Sequence, residues 1–176
     1  WSELFIDKPH DYYYFLAGIV AKLKCRRILE LGTHFGGSIF SMAKGLEHVK
    51  QSQVEIVTVD IRDNNTEAFE NNKIVTRFLG NCLSPGIIQK IGHSFSGAID
   101  LLYIDSHHYY NHTRKCVDVY LKLVSPRYII IDDIYLNDSM RQLWNELKNE
   151  HGDNAIDITG YSRREENVGF GLLVCN

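Results

Sequence analysis

Four hydrophobic runs in this chain each end on an acidic residue. They are Arg26–Glu30, Val54–Asp60, Ile99–Asp105 and Tyr128–Asp133. Short runs of β-branched and aliphatic residues are typical of strands that are buried on both faces of a parallel sheet. In open α/β sheets, ligands bind at the carboxyl ends of such strands. We therefore expect the acids to line one cleft, and the cost of grouping carboxylates at an apolar edge indicates a polar or cationic ligand.

The composition limits the class of protein. A chain of 176 residues fits one domain with a proper core. Its 19 basic and 22 acidic residues give a formal charge of −3, without the basic stripe that binds nucleic acid. No apolar run approaches the roughly 20 residues of a membrane span, and no signal peptide is apparent. We expect neither nucleic acid nor a membrane as a partner, and the start at Trp1 suggests a longer parent chain.

The four cysteines lie far apart in the sequence and include no Cys-x-x-Cys pair. They are Cys25, Cys82, Cys116 and Cys175. Three of them fall in or next to predicted core elements. We therefore expect free thiols in a reducing compartment, the cytoplasm, rather than disulfides or a zinc site.

Periodicity and turn signals divide the chain into alternating strands and helices. The predicted strands are Arg26 to Leu31, Glu55 to Ile61, Lys73 to Leu79, Ala98 to Asp105, Tyr128 to Asp133, Ile156 to Tyr161 and Val168 to Cys175. The predicted helices are Tyr12 to Leu23, Ser38 to about Val49, Thr66 to about Asn71, Pro85 to Ile91, about Asn111 to Val124 and Asp138 to Glu150. No helix separates the last two strands, so they should form a hairpin whose second member runs antiparallel. The result is an α/β domain with a mostly parallel seven-stranded sheet and helices on both faces.

A glycine-containing turn, Gly32 to Gly37, follows the first predicted strand. A phosphate-binding P-loop needs Lys directly before the Ser, whereas Gly37 precedes Ser38 here. A dinucleotide fingerprint needs Gly-x-Gly, whereas His34 stands at its second glycine position. The turn therefore favours a ligand whose polar end is a carboxylate and an amine. The alternative is that the glycines only permit a tight connection between strand and helix.

The segment from Leu29 to Ser38 resembles the first motif of class I S-adenosylmethionine-dependent methyltransferases. It contains an acid, Glu30, followed by Gly32 and, after three further residues, Gly36. This resemblance implies a Rossmann-like fold of five βα units that closes in a terminal antiparallel β-hairpin.

Two later segments narrow the resemblance. Tyr103 to His108 and Ile131 to Tyr135 are similar to the metal-dependent O-methyltransferases of the macrocin O-methyltransferase and cephalosporin hydroxylase-like group. A broader likeness to the catechol O-methyltransferases is also present. The resemblance extends from about Ile28 to Val174, and the ordered set of strand-end signatures is more specific than the first motif alone.

The same resemblance implies a set of cofactor-binding residues. Asp60 resembles the acid at the end of the second strand that accepts hydrogen bonds from both ribose hydroxyls. Glu30 would help to hold the methionine end through the turn, and Asn81 lies in a turn similar to the one beside the adenine. The rest of the predicted cofactor-binding set is Gly32, Gly36, Ser38 and Asp105.

Three acids form a second predicted site. Asp105 and Asp132 or Asp133 end neighbouring strands, which lie about 4.8 Å apart, so their carboxylates can converge on one ion. An all-oxygen set with room for water suits Mg²⁺, with other hard divalent ions as substitutes. The alternative for each acid is that it caps the following turn or helix.

Two histidines, His107 and His108, are candidates for the general base. In the resembled family a second acid often stands two residues after Asp105, and this chain has His107 there. His108 stands where catechol-type enzymes carry a basic residue. Either histidine could accept a proton near neutral pH, since the unperturbed pKa is about 6.5. We interpret His34 and His112 as structural.

We therefore expect a Mg²⁺-assisted O-methyltransferase that acts on a hydroxyl of a small molecule, a sugar or a phenol. The reaction is an in-line displacement at a sulfonium methyl group, so the enzyme must align oxygen, methyl and sulfur. Asp105, His107 and His108 are the candidate catalytic residues. The alternatives are a hydroxylase-like metalloenzyme on the same fold and a non-catalytic nucleoside-binding domain. A homo-oligomer is compatible with the sequence.

Overall fold

The computed structural model describes residues 11–64, 66–162 and 168–175, and in this part of the chain seven strands form one sheet. The strands are β1 (Arg27–Leu31), β2 (Glu55–Asp60), β3 (Val75–Leu79), β4 (Leu101–Ile104), β5 (Tyr128–Asp132), β6 (Ala155–Asp157) and β7 (Phe170–Val174). Their order across the sheet is β3-β2-β1-β4-β5-β7-β6. The first five pair in parallel, and β7 is antiparallel to both of its neighbours. The predicted mostly parallel seven-stranded sheet, with its terminal antiparallel pair, is confirmed.

Helices cover both faces of the sheet. They are α1 (Asp11–Leu23), α2 (Gly37–Gly45), α3 (Thr66–Glu70), α4 (Pro85–Ser94), α5 (Tyr110–Val124), α6 (Asp138–His151) and α7 (Thr159–Ser162). Apolar residues of α4, α5 and α6 pack on one face, whereas those of α1, α2 and α3 pack on the other. None of the helices within the described residues is long and apolar enough to span a membrane.

The alternation of side chains along the central strands explains this two-sided core. In β1, Leu29 and Leu31 join the cluster under α4 to α6, whereas Ile28 joins the cluster under α1 and α2. In β4, Leu102 and Tyr103 divide between the two faces in the same way. Because successive side chains of a strand point to opposite faces, an uninterrupted apolar run is what a strand covered on both sides requires.

The prediction for the sixth strand was wrong. We expected a strand from Ile156 to Tyr161 with no helix after it, but β6 ends at Asp157 and the short helix α7 follows. Oδ1 of Asp157 accepts hydrogen bonds from the N–H and the hydroxyl of Thr159, at 2.9 and 2.6 Å. These bonds favour a turn over continued strand pairing. The hairpin pairing of β6 with β7 is confirmed, whereas the predicted turn at Arg163 to Glu166 lies outside the described residues.

Two other elements are shorter than predicted. The helix expected to reach Val49 ends at Gly45, where the next N–H groups, of Leu46 and Glu47, bond to carbonyls three residues back. Such bonds tighten and end a helix. Strand β4 begins at Leu101 instead of residue 98. The backbone of Ile99 bonds to Val124 and Arg127, at the end of α5 and in the loop after it, instead of to a neighbouring strand.

Candidate functional site

The strand order brings the predicted site residues to one edge of the sheet. Strand β1 lies between β2 and β4, β5 follows β4, and all four strands run in the same direction. Asp60 and Asp132 are the last residues of β2 and β5, Asp105 directly follows β4, and Glu30 is one residue from the end of β1. The predicted cleft at the carboxyl ends of the strands therefore has its acids in adjacent positions.

The glycine-containing turn after β1 has an unusual backbone conformation. Gly32, His34 and Gly36 have positive φ angles of 98°, 47° and 88°. The N–H groups of Thr33 and His34 each donate to Oδ2 of Asp60 at 2.8 Å. These two bonds tie the turn to the end of β2. They also stabilise the left-handed backbone at His34, which is uncommon for a residue other than glycine.

The carboxylate of Asp60 is organised by backbone groups. Its Oδ1 accepts the N–H of Arg62 at 2.9 Å. Burial raises the pKa of Asp60, but backbone hydrogen bonds, led by those from His34, Arg62 and Thr33, outweigh burial and leave the pKa below its usual value. The side chain is partly exposed and ionised at neutral pH. It can therefore offer charge to a ligand, while its role towards ribose stays a prediction.

Glu30 is fully buried beneath the turn. It accepts hydrogen bonds from the hydroxyl of Ser38, in the first turn of α2, and from the hydroxyl of Thr58 in β2, the latter at 2.5 Å. Burial raises the pKa of Glu30 to about 8, with the charges of Asp105 and Asp60 acting in the same direction and the two hydroxyls against it. Glu30 therefore holds β1, β2 and α2 together, and its predicted help in holding the methionine end through the turn stays a prediction.

The turn after β3 contains the predicted residue Asn81. Gly80 has a φ angle of 148°, and Oδ1 of Asn81 accepts the N–H of Leu83 at 2.9 Å. Asn81 is exposed, and β3 lies next to β2, so the turn faces the same edge as Asp60. The contact of Asn81 with a cofactor stays a prediction.

A tyrosine hydroxyl connects two of the three predicted metal ligands. The hydroxyl of Tyr103 lies 3.3 Å from Oδ2 of Asp105 and 3.2 Å from Oδ2 of Asp132. Burial, followed by the charges of Asp105 and Asp132, raises the pKa of Tyr103 well above its usual value. Tyr103 therefore keeps its proton and can donate it to one of the carboxylates.

The imidazole of His108 connects Asp133, the third predicted metal ligand, to Asp105. Its Nε2 lies 3.3 Å from Oδ1 of Asp105, and its Nδ1 lies 3.5 Å from Oδ2 of Asp133. Burial lowers the pKa of His108, but the hydrogen bond and charge of Asp105, with the charges of Asp133 and Asp132, raise the net pKa above its usual value. His108 therefore favours the protonated form between the two carboxylates.

The three aspartates thus surround the Tyr103 hydroxyl and the His108 imidazole. Among the described residues they do not form a group of three ligand atoms within 4.8 Å of one another. The donor set itself, three carboxylates at one edge, fits a hard cation such as Mg²⁺.

The other histidines considered from the sequence have different surroundings. His107 is exposed, and its ring packs against Tyr109 with centroids 4.6 Å apart. His34 packs edge-on against Phe35, at 4.3 Å between centroids. The structure therefore brings His108, rather than His107, to the acids.

Sequence reasoning missed a group of sulfur and nitrogen ligands. Cys82, His112 and Cys116 each offer one ligand atom, and these three atoms lie within 4.8 Å of one another. His112 had been interpreted as structural and the cysteines as separate thiols. A signal was present in the spacing of His112 and Cys116, because residues four apart share one face of a helix. Cys82 carries no such signal, since it lies 30 residues from His112.

Several apolar side chains at the same edge are exposed. They are Phe35 in the turn after β1, Ile61 directly after β2, Leu79 at the end of β3 and Tyr109 after β4, with 50–71% of their surface accessible. Large apolar groups that gather on a surface indicate a binding site. The edge of the sheet at the carboxyl ends of its strands therefore offers both ionised and apolar groups to a ligand.

Solved methyltransferases share this fold. An O-methyltransferase from Bacillus cereus in complex with SAH is 20% identical, with a TM-score of 0.70, and the alignment covers 96% of this chain and 82% of that one. TomG from Streptomyces achromogenes, in complex with SAM, is 19% identical, with a TM-score of 0.70 and coverages of 93% and 79%. A putative O-methyltransferase from Klebsiella pneumoniae is 23% identical, with a TM-score of 0.69 and coverages of 97% and 82%.

Sequence comparison gives the family. No curated protein matches the chain significantly. The family model described as rhamnosyl O-methyltransferase/CmcI matches residues 4–170, nearly the whole chain. The suspected resemblance is confirmed: the chain belongs to the rhamnosyl O-methyltransferase/CmcI family of S-adenosylmethionine-dependent O-methyltransferases, on the class I fold.

Proposed function

We propose that this chain transfers a methyl group from S-adenosylmethionine to a hydroxyl of a small molecule, with assistance from a divalent cation. The observation that carries the proposal is the contact between Gly32 and Asp105. A Cβ atom added at Gly32 would lie 1.9 Å from the carbonyl oxygen of Asp105. The turn that would hold the methyl donor and the acid that would hold the cation are therefore in direct contact.

The cofactor would lie along the carboxyl ends of β1 and β2. Asp60 is ionised and fixed by backbone N–H groups, so its oxygens are in place to accept hydrogen bonds from ribose hydroxyls. The exposed side chains of Ile61 and Leu79 offer apolar surface to a base on the side of β2 and β3. S-adenosylmethionine, when bound, supplies the methyl group as part of a sulfonium ion.

Asp105, Asp132 and Asp133 would hold the cation. Such an ion lowers the pKa of an acceptor hydroxyl and orients it. The residues themselves support this role, because Asp132 is buried with its oxygens near Tyr103 and Asp105 is partly exposed beside the turn. Asp132 can bind an ion from the buried side of the edge and Asp105 from the exposed side, which leaves room for a substrate hydroxyl.

His108 would accept the proton of the acceptor hydroxyl. Its ring nitrogens already contact Asp105 and Asp133, so it is within the acid cluster where the hydroxyl would be activated. The neutral imidazole is the form that accepts a proton. His107 faces Tyr109 instead and is the weaker candidate.

The acceptor is a sugar or a phenol, and the family favours the sugar. The matched family model carries the name of rhamnosyl O-methyltransferases, whose acceptors are sugar hydroxyls. The exposed rings of Phe35 and Tyr109 would pack against the face of either kind of acceptor. The cytoplasm, where S-adenosylmethionine is made and used, is the proposed location.

The test is methyl transfer from isotope-labelled S-adenosylmethionine to a panel of deoxy-sugar glycosides and catechols, with Mg²⁺ present. We expect labelled product from one of the two classes and a large loss of rate in Asp105→Asn. The matched control is Asp153→Asn, which changes an exposed acid outside the edge. Labelled product at the wild-type rate from Asp105→Asn would contradict the role given to this acid. Failure of the chain to bind the cofactor at all would contradict the proposal itself.

A further inference from the structure

Two cysteines and a histidine meet behind the edge that carries the candidate site. Cys82 follows Asn81 in the turn after β3, whereas His112 and Cys116 lie one helical turn apart in α5. The Sγ atoms of the cysteines are 3.9 Å apart. Nε2 of His112 lies 3.5 Å from Sγ of Cys116 and 4.0 Å from Sγ of Cys82. The three ligand atoms therefore form a compact triangle.

The dimensions of this triangle match one face of a zinc tetrahedron. Bonds of about 2.3 Å to sulfur and about 2.0 Å to nitrogen, at tetrahedral angles, place two sulfur atoms about 3.8 Å apart and sulfur and nitrogen about 3.5 Å apart. The observed separations of 3.9, 3.5 and 4.0 Å lie within about 0.5 Å of these values. A small adjustment of the side chains would complete the coordination.

The chemistry of the three groups also suits a soft metal ion. Thiolate and imidazole ligands select zinc over the hard cations that carboxylates bind. Two thiolates neutralise the charge of Zn²⁺, which lowers the cost of holding the ion in a buried place. Cys116 is fully buried and Cys82 nearly so, whereas His112 is partly exposed and leaves a route of entry.

We propose that Cys82, His112 and Cys116 bind one zinc ion, at a site separate from the aspartates of the candidate active site. Binding releases the two thiol protons to solvent and forms two bonds from sulfur and one from nitrogen. The hydroxyl of Ser106 lies 2.9 Å from Nε2 of His112, and this hydrogen bond would give way when Nε2 binds zinc. Ser106 would then lie beside the ion, where its hydroxyl or a water would supply the fourth ligand.

The site would connect two loops that carry candidate residues. Cys82 directly follows Asn81, and Ser106 directly follows Asp105. A metal that joins Cys82 to α5 would therefore fix the turn after β3 and the start of α5 relative to each other. Its role is structural, because the ligands face the core behind the edge instead of the edge itself.

A disulfide between Cys82 and Cys116 is the competing use of the same sulfur atoms. A disulfide would explain why the two sulfur atoms lie close together, but it would not explain why the imidazole of His112 lies beside both of them. A metal site accounts for the positions of all three atoms.

The experiment starts from the purified, reduced full chain after removal of metals. Zinc titration followed by elemental analysis should give one zinc per chain, and Co²⁺ should give the strong absorption of a thiolate–cobalt bond. Cys116→Ser and His112→Gln should each weaken zinc binding by more than the roughly 10- to 100-fold that the loss of an outer-shell partner costs. Cys175→Ser, at a cysteine outside the cluster, is the matched control and should bind zinc normally.

A measurement on the wild type guards against variants that fail to fold. Alkylation is followed by mass spectrometry of peptides, with and without zinc, and zinc should slow the alkylation of Cys82 and Cys116. It should leave the rate unchanged at Cys25, which is equally buried but lies outside the cluster. If the reduced chain shows neither the cobalt absorption nor this protection, the zinc site does not exist. If the chain isolated without reductant contains a Cys82–Cys116 disulfide and its reduced form does not retain zinc, the cluster is a redox pair and the proposal is wrong.

Discussion

The carboxyl group of Glu30 accepts a hydrogen bond from the hydroxyl of Thr58 at 2.5 Å, and both residues are inaccessible to solvent. This buried contact joins the first two strands directly beneath the glycine-containing turn. An acid in such a place has a different charge state in the folded and unfolded chain. The stability of the protein should therefore depend on pH through this residue.

We predict that Glu30→Gln flattens the dependence of stability on pH. Burial raises the pKa of Glu30 from 4.5 to about 8, so the unfolded chain loses this proton first as the pH rises. The stability that the neutral carboxyl contributes is complete below about pH 4.5 and is lost as the pH approaches 8, by at most about 1.4 kcal/mol per pH unit. Urea unfolding at several pH values measures this difference. Glu67→Gln, at an exposed glutamate, is the control, and parallel wild-type and Glu30→Gln curves would refute the buried charge change.

A second prediction concerns the close approach of Gly32 to Asp105. Gly32→Ala should destabilise the fold by more than about 2 kcal/mol, since the new Cβ would meet backbone atoms and φ is +98°. It should also impair cofactor binding by displacing the turn. Gly18→Ala, in the exposed face of α1 with nothing near the added Cβ, should instead stabilise by about 0.5–1 kcal/mol. Denaturant titration of the two variants measures their free energies of unfolding. Equal changes would show that the close approach of Gly32 to Asp105 does not restrict this position.

The third prediction is that Asp60→Asn weakens binding of S-adenosylhomocysteine by about 10- to 100-fold, or roughly 1.4–2.8 kcal/mol. The amide NH2 would face backbone donors on one side, either Thr33 and His34 or Arg62, and the ligand would lose a charged acceptor. Calorimetry measures the affinity. Asp63→Asn, at an exposed acid in the next loop, should bind as the wild type does, and so should Asp60→Asn if the role given to Asp60 is wrong.

The fourth prediction separates the two histidines. His108→Gln should lower the rate of methyl transfer by roughly 10²- to 10⁴-fold, because a general base is lost, whereas His107→Gln should keep most of the activity. In the wild type the rate should rise with pH as His108 loses its proton, because the neutral imidazole is the form that accepts a proton. That limb of the profile should disappear in His108→Gln. Unchanged rates in both variants would show that neither histidine is the general base and that the cation alone activates the acceptor hydroxyl.

The fifth prediction concerns removal of metal. Activity should fall in EDTA and return on addition of Mg²⁺, while binding of S-adenosylmethionine persists. EDTA also removes zinc, so the assay should be repeated in Cys116→Ser, where dependence on Mg²⁺ should remain if the aspartates hold the ion. Full activity in exhaustively chelated wild type would exclude a cation at Asp105, Asp132 and Asp133.

The sequence predicted the positions of the central strands well because each is an apolar run that ends on a polar residue. Asp60 ends β2 and Asp105 directly follows β4, and these two strands flank β1. Strand β6 was mispredicted, since Ile156 to Tyr161 reads as extended until the side chain of Asp157 is seen to bond to Thr159. Whether the side chain of Asp157 bonds to the chain after it depends on its rotamer, and the pattern of apolar and polar residues does not show the rotamer.

The details of the site were harder to anticipate for a different reason. The placement of His108 between Asp105 and Asp133 depends on how β4 and β5 align, and sequence spacing alone does not separate His108 from His107. The group formed by Cys82 and α5 requires two segments to meet that are 30 residues apart in the sequence, with α4 and β4 between them. Contacts of this kind arise from tertiary packing and leave little local signal.

The position of β7 inside the sheet has a consequence for synthesis on the ribosome. Phe170 pairs with Asp132, and the N–H of Asp133 donates to the carbonyl of Gly169 at 3.0 Å. A nascent chain that has emerged only as far as β6 lacks the strand that aligns these two aspartates and joins β6 to the sheet. The earlier βα units can already be assembled at that stage. Catalytic competence should therefore appear abruptly, when the segment from Gly169 onwards leaves the exit tunnel.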